Sequence, residues 1–332
     1  MNHSNEPRAL AEELRAVADG FRGTLGYSFR HLRTGDELEH HGDEPFPTAS
    51  TIKLALLCAA MDMQQRGEIG YEEERVLTEE TRAYGTGFAQ NYRAGTRVEL
   101  RELLHLMITA SDNSATVMLG QWLGREQVNR WLDRQDLRET RLLIPFPFGG
   151  TSEQDQRARA ALWRPFRQWG MGVTTPREMR LLLEMIVENR AGTPAACDQM
   201  LRILGRQFYD EGIASQVPPW VKVASKNGTD ARSRSDVAVV HAPSGDYVLA
   251  VYTKDAEDVS LRWDNEHATA IRAVSRAVWS HYHPQVTWRP PAGAEKLFHF
   301  QTEPRLPAAA PAAGAAPRPN TSRIDANGNG SR

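Results

Sequence analysis

Phe46-Pro-Thr-Ala-Ser-Thr-Ile-Lys-Leu-Ala-Leu-Leu-Cys-Ala-Ala-Met61 is the stretch on which the reading of this chain turns. From Ser50 to Arg66 the apolar residues Ile52, Leu54, Leu56, Leu57, Ala60 and Met61 predict a strong helix, with Gly67 as its stop. Ser50 and Lys53 stand three apart at its start, and side chains three apart on a helix share a face, so hydroxyl and amine can touch. Serine is a weak nucleophile until a base takes its proton, and a lysine amine can do so once burial and a second cation lower its pKa. Ser50 is therefore a candidate nucleophile and Lys53 its candidate base. Alone the pair is a weak signal, because about one chain in three with this few lysines would show the spacing by chance.

Upstream, Leu10, Leu14 and Val17 recur at helical spacing between Pro7 and Asp19, and Leu25 to Leu32 and Glu37 to His41 read as two strands joined at Thr34-Gly35. Downstream, helices are expected over Val98–Thr109, Asn113–Leu123, Arg125–Arg134, Pro176–Glu188 and Ala195–Leu204. After Pro219 the texture changes to β-rich runs, Val221–Ser225, Asp236–His241 and Tyr247–Thr253, the last two split by Pro243-Ser-Gly-Asp246. A final helix is expected from Asn265 to His281. Strands at both chain ends around a helical middle imply an α/β (α+β) fold, an antiparallel sheet built from both ends and flanked by helices, with an all-helical insertion. The expected organisation is one domain over 1–303, its helical part at about 50–205, and a disordered Pro/Ala/Gly/Asn-rich tail over 304–332. The stretch Phe146 to Met171, with Trp163, Phe166 and Trp169, reads as a long loop with one helix.

Composition narrows the function. A chain of 332 residues, 40% hydrophobic and 25% charged, can bury a large core, and its net charge of −2 offers no basic field for nucleic acid or an anionic membrane. No run approaches the roughly eighteen apolar residues of a membrane span, and the polar start from Met1 to Arg15 has no signal-peptide core, so a cytoplasmic location is expected. Cys58 and Cys197 form neither a disulfide framework nor a metal spacing and read as buried thiols; no metal or other cofactor is expected. The expected partner is a small molecule, acting on a monomer.

Lysine usage singles out more residues. Of the 40 basic residues 35 are Arg and five are Lys: Lys53, Lys222, Lys226, Lys254 and Lys296. Arginine keeps its proton, whereas a desolvated lysine can lose it, so a base built from a cation has to be lysine. Ser111-Asp112-Asn113 lies at a helix boundary, where capping alone accounts for such residues in most proteins. Lys226-Asn227-Gly228 ends an expected strand before a loop, where an ordinary turn is the plain alternative.

Ser50-x-x-Lys53, Ser111-Asp112-Asn113 and a strand-borne Lys226-x-Gly228, in that order, resemble the signature of class A β-lactamases and penicillin-binding proteins. Further segments share the resemblance: Tyr84-Gly-Thr-Gly-Phe88, Leu103 to Leu119, Thr174-Thr-Pro176 and Ser233-Arg-Ser-Asp-Val-Ala-Val-Val240, so that it spans roughly Pro7 to Tyr282. The resemblance implies that Ser50 forms the acyl-enzyme with Lys53 as base, that Ser111 passes the proton to the departing nitrogen, and that Asn113 holds the substrate's side-chain amide. Lys226 would hold the Ser111 network and attract the substrate carboxylate. Asn227, Gly228, Thr229 and Tyr84 would line the substrate, with the N–H groups of Ser50 and Thr229 as oxyanion hole. Arg234 is either a second carboxylate contact or a solvated strand residue. The substrate class implied is a β-lactam; the alternatives are a related esterase, D-alanyl peptidase or acyltransferase, and a penicillin sensor that never turns over.

Three features depart from the family pattern. The Glu-x-x-Leu-Asn segment whose glutamate positions the deacylating water has no counterpart; the corresponding stretch, Thr151-Ser-Glu-Gln-Asp-Gln156, offers Glu153 and Asp155 as candidate bases. Asn227 stands where the family has Thr or Ser. The exported family's signal peptide is also missing.

Overall fold

Alternation along the last three strands sets the architecture. The computed structural model describes residues 6–144, 165 and 168–290. In strand β10 (Tyr247–Lys254) the side chains of Tyr247, Leu249 and Val251 enter one core, and those of Val248, Ala250 and Tyr252 enter another. A strand apolar at every position is one covered on both faces. It is the centre of a five-stranded antiparallel sheet of order β2-β1-β10-β9-β8, with β1 at Thr24–His31, β2 at Glu37–His40, β8 at Lys222–Thr229 and β9 at Ser233–His241. Two strands come from the start of the chain and three from its end, as expected of this fold class.

Helices α1 (Glu6–Asp19) and α8 (Glu266–Tyr282) cover one face, packing Leu10, Leu14, Ile271, Val274 and Val278 against it. The opposite face carries the larger core and the helical middle: α2 (Lys53–Gln65), α3 (Leu100–Thr109), α4 (Asn113–Leu123), α5 (Arg125–Arg134), α6 (Pro176–Val187) and α7 (Pro194–Leu204). Helix α2 is buried without interruption from Lys53 to Met61, which makes it the axis of that layer. Cys58 lies in it as a buried free thiol, its pKa pushed up by burial, and Cys197 is likewise buried and free.

The middle is not wholly helical. Short strands β3 (Phe46–Pro47), β4 (Glu74–Val76), β5 (Arg97–Glu99), β6 (Arg141–Leu142) and β7 (Gly172–Thr174) form a β3-β7-β6 sheet and a β4-β5 ribbon. Runs of two or three residues carry no readable period, so the sequence could not announce them. One further boundary differs from expectation: Ser50 sits in a 3₁₀ turn, Ala49–Ile52, and the α-helix begins only at Lys53. Lys226-Asn227-Gly228 is strand-borne, as expected, and not an ordinary turn, because β8 runs on to Thr229 in register with β9.

All described residues belong to a compact unit spanning Met1–His299. The expected tail, Glu153, Asp155 and most of the 146–171 loop lie outside the described residues. Among the described residues no helix is long and apolar enough to cross a membrane, and no group of His, Cys, Asp or Glu could hold a metal ion.

Candidate active site

The segment leading to Ser50 is pinned from three sides. β3 pairs with β7, Phe46 opposite Thr174, and Thr48 N–H donates to Gly172 O at 2.9 Å. Thr48 O then accepts from Thr51 N–H at 3.0 Å and Thr51 Oγ1 at 2.8 Å, closing the tight turn, while Thr51 Oγ1 also meets Tyr252 OH at 2.8 Å. Ala49 takes φ +43°, a left-handed conformation that costs a residue bearing a Cβ about 1–2 kcal/mol. The third side is β8. A Cβ on Gly228 would stand 2.6 Å from Thr48 O and 2.5 Å from Ser235 Oγ, so only glycine lets the strand backbone lie against the nucleophile's turn. That contact sets Gly228 against Thr48 and Ala49, next to half-buried Ser50, with Thr229 following along the strand.

Lys53 is completely buried, and its Nζ lies 2.7 Å from Ser111 O, 3.0 Å from Asn113 Oδ1 and 3.1 Å from Ser111 Oγ. Its pKa falls well below that of an ordinary lysine, first through burial and then through the charge of Lys226, with Asp112 opposing. A neutral amine has two N–H bonds and one lone pair. Ser111 O and Asn113 Oδ1 can only accept, so they take both N–H bonds and leave the lone pair for a hydroxyl.

Ser111 itself has φ +52°, and its carbonyl accepts from Thr86 Oγ1 at 2.6 Å as well as from Lys53. These bonds hold a backbone that would otherwise relax. Asp112 does cap α4, accepting from Ala115 N–H at 2.9 Å, but its second oxygen accepts from Phe88 N–H at 2.6 Å and Ala89 N–H at 2.8 Å. It thereby ties the 84–88 loop to the helix. In that loop Gly85 and Gly87 have φ +116° and +101°, and side chains there would collide with Asn113 and Asp112. Asn113 Nδ2 donates to Tyr84 O at 3.1 Å, which leaves one amide N–H for a ligand, and the Tyr84 ring stands exposed at the rim.

Lys226 is buried, with a pKa lowered to about 7 by burial against the opposing pull of Asp236 and Glu211. Its Nζ donates to Asn227 O at 2.8 Å and Asn227 Oδ1 at 3.0 Å, and so its hydrogen bonds go to its neighbour rather than to the Ser111 network. With its oxygen so engaged, Asn227 keeps its amide N–H donors for a ligand. Arg234 is no solvated strand residue. It is buried, donating to the carbonyls of Asp230, Ser233 (2.8 Å) and Ser260 (3.1 Å), and its bonds brace the β8–β9 turn. Sequence reasoning gave no role to Thr86, although it lies inside the Tyr84-to-Phe88 family segment, and missed the carboxyls of Glu211 and Asp236, which come beside Lys226 only through the fold. Asp236 lay inside a quoted family segment, but nothing local distinguished its carboxyl.

Known proteins resemble this chain in sequence and in fold. The model of the "Beta-lactamase enzyme family" matches residues 9–282. β-Lactamase FAR-1 of Nocardia farcinica is 27% identical over 279 residues, covering 80% of this chain and 82% of that protein. Among solved structures, a β-lactamase from Sphaerobacter thermophilus superposes with a TM-score of 0.69 at 25% identity, covering 83% of this chain and 98% of that one. A mutant of PBP-A, solved as an acyl-enzyme complex with penicillin G, gives a TM-score of 0.70 at 25% identity over 85% of this chain and 97% of that one.

Proposed function

This chain belongs to the β-lactamase enzyme family and is a serine hydrolase of that kind, and from that premise we propose that Ser50 is acylated by β-lactams and that the acyl group leaves slowly. In the reaction Ser50 Oγ attacks the lactam carbonyl while its proton passes to neutral Lys53. The ring C–N bond breaks, the nitrogen takes a proton through Ser111, and the product is an ester on Ser50. Water then cleaves that ester. Lys226 and Asn227 attract the substrate carboxylate, and Ser50 and Thr229 N–H groups receive the oxyanion, each such donor being worth about 3 kcal/mol in the transition state.

The observation that carries the reading is the buried Lys53 amine, bonded to acceptor oxygens on two sides, while burial and the charge of Lys226 make its proton easier to lose, the direction a serine-activating base needs. Intact-mass spectrometry after mixing with penicillin G tests it directly. A rise by the mass of one penicillin, absent in Ser50→Ala, is the expected result; no adduct and no turnover of a chromogenic cephalosporin would count against a β-lactam substrate.

A further inference from the structure

The candidate machinery leaves two carboxyls unused, buried Asp236 and half-buried Glu211. Glu211 precedes Gly212 and Ile213, and this segment wraps around Asp236: Ile213 N–H donates to Asp236 Oδ2 at 2.6 Å, and Gly212 lies so close that any Cβ there would strike the carboxylate. Asp236 Oδ1 and Glu211 Oε2 are both buried atoms and have no hydrogen-bond partner among the described residues. The two residues line one small cavity, about 40 Å³, together with Asn227, Gly228, Thr229 and Arg234. They thus sit beside the Lys226 motif, on its flank towards α8.

We propose that Glu211 and Asp236 share one proton and act as a single negative counter-charge to Lys226, which makes the pair, rather than either carboxyl alone, a positioning element for acyl donors that carry a carboxylate. Two like charges in one dry site cannot both form cheaply, whereas one charge is stabilised by the neighbouring ammonium. The titration directions accord with this arrangement. Burial, then Glu211, raises Asp236 to about 7; burial, then Asp210, raises Glu211; each carboxyl in turn raises Lys226. The charged and titratable groups facing the cluster are Asp210, Tyr209 and Arg272 around Glu211, Tyr252 beside Asp236, Arg234 across the cavity, and Lys53 beyond Lys226. One anion on the pair keeps Lys226 charged when Lys53 must be neutral. This inference rests on acylation by β-lactams.

The pair's redundancy dictates the test. In Glu211→Gln the remaining Asp236 ionises more readily and still supplies one charge, so the pH profile should move little. In the Glu211→Gln, Asp236→Asn double variant Lys226 has no counter-charge and loses its proton at lower pH. The alkaline limb of the acylation rate for penicillin G should then shift downward, lowering the rate by about tenfold near neutral pH. Penicillin G methyl ester, which lacks the carboxylate, should show no such shift. An infrared C=O band from a protonated carboxyl should be present in wild type near neutral pH and absent in the double variant, a readout that needs no activity. An unshifted limb in the folded double variant, an equal shift with both substrates, a Glu211→Gln shift as large as the double variant's, or no protonated-carboxyl band would each overturn the counter-charge. Failure of wild type to be acylated by either penicillin would instead remove the β-lactam reading on which it rests.

Discussion

At the scale of residues the chemistry depends on protonation and on backbone strain. Lys53 acts as a base only when neutral, and its folded pKa is depressed, so acylation should rise with pH as the amine loses its proton. Arginine keeps the charge but never frees a lone pair, so Lys53→Arg should abolish adduct formation in a folded protein; undiminished labelling would remove lysine from the role. Ser111 gives a second, opposing pair of effects. Its φ of +52° suits glycine better than any residue with a Cβ, by about 1 kcal/mol once glycine's extra chain entropy is subtracted. Ser111→Gly and Ser111→Ala should both slow acylation, since both lose the hydroxyl, yet the glycine variant should melt higher, on the order of 2 °C, by calorimetry. A glycine variant that melts lower would mean the strain is not stored at this residue.

Among the elements, α6 shows how much of the fold was legible and where legibility stopped. Pro176 after Thr175 announced its start, since Thr175 caps it through Glu178 N–H at 3.2 Å, and its apolar period announced its buried face. Nothing announced that its polar residues are buried too. Arg180 and Glu184 pair beneath β1 and β2, where Arg180 donates to Ser28 Oγ at 2.6 Å and Glu37 at 2.7 Å, and Arg30 donates to Glu184 at 3.0 Å. Glu184 is fully buried, and its loss strands Arg180, although Glu37 and Glu39 stay nearby. Glu184→Ala should therefore cost about 3 kcal/mol, the low end for breaking a buried pair, read as a lower urea midpoint. A midpoint within error of wild type would show the cluster to be hydrated in solution. The same limit governed the active site: Ser50, Lys53 and the Ser-Asp-Asn segment lie within local motifs, so their types and spacing could be read. The contact of Arg234 with the Ser260 carbonyl and the seating of Glu211 beside Lys226 depend on contacts between distant segments, which no local period encodes.

On the scale of the whole molecule, the proposed acylating residues gather at one corner of the fold, whereas the segment expected to serve deacylation departs in sequence from the family. The sheet edge, the Ser50 turn and the Ser111 segment converge, with Lys53 already between hydrogen-bond acceptors, so the first step should proceed at full speed. The second step needs a water held by a base opposite the ester, and the sequence lacks the family's glutamate segment there. Asp112, the carboxylate nearest Lys53 in charge, is spent on capping α4 and holding the 84–88 loop, and Glu178 is spent on Glu139 and Thr140 N–H at 2.8 and 2.6 Å. A positioned general base contributes roughly 10² to 10⁴ in rate, so losing it turns rapid release into slow release without touching acylation. Stopped-flow hydrolysis of a chromogenic cephalosporin should show a burst of one product per enzyme followed by a slow phase, and quenched samples should carry the acyl mass throughout. If Glu153 or Asp155 supplies the base, Glu153→Gln or Asp155→Asn should lengthen the life of the adduct and leave the burst rate unchanged. Burst-free, fast turnover that neither substitution alters would mean that the water is activated from elsewhere in the fold, and that the altered loop has not weakened the second half of the reaction.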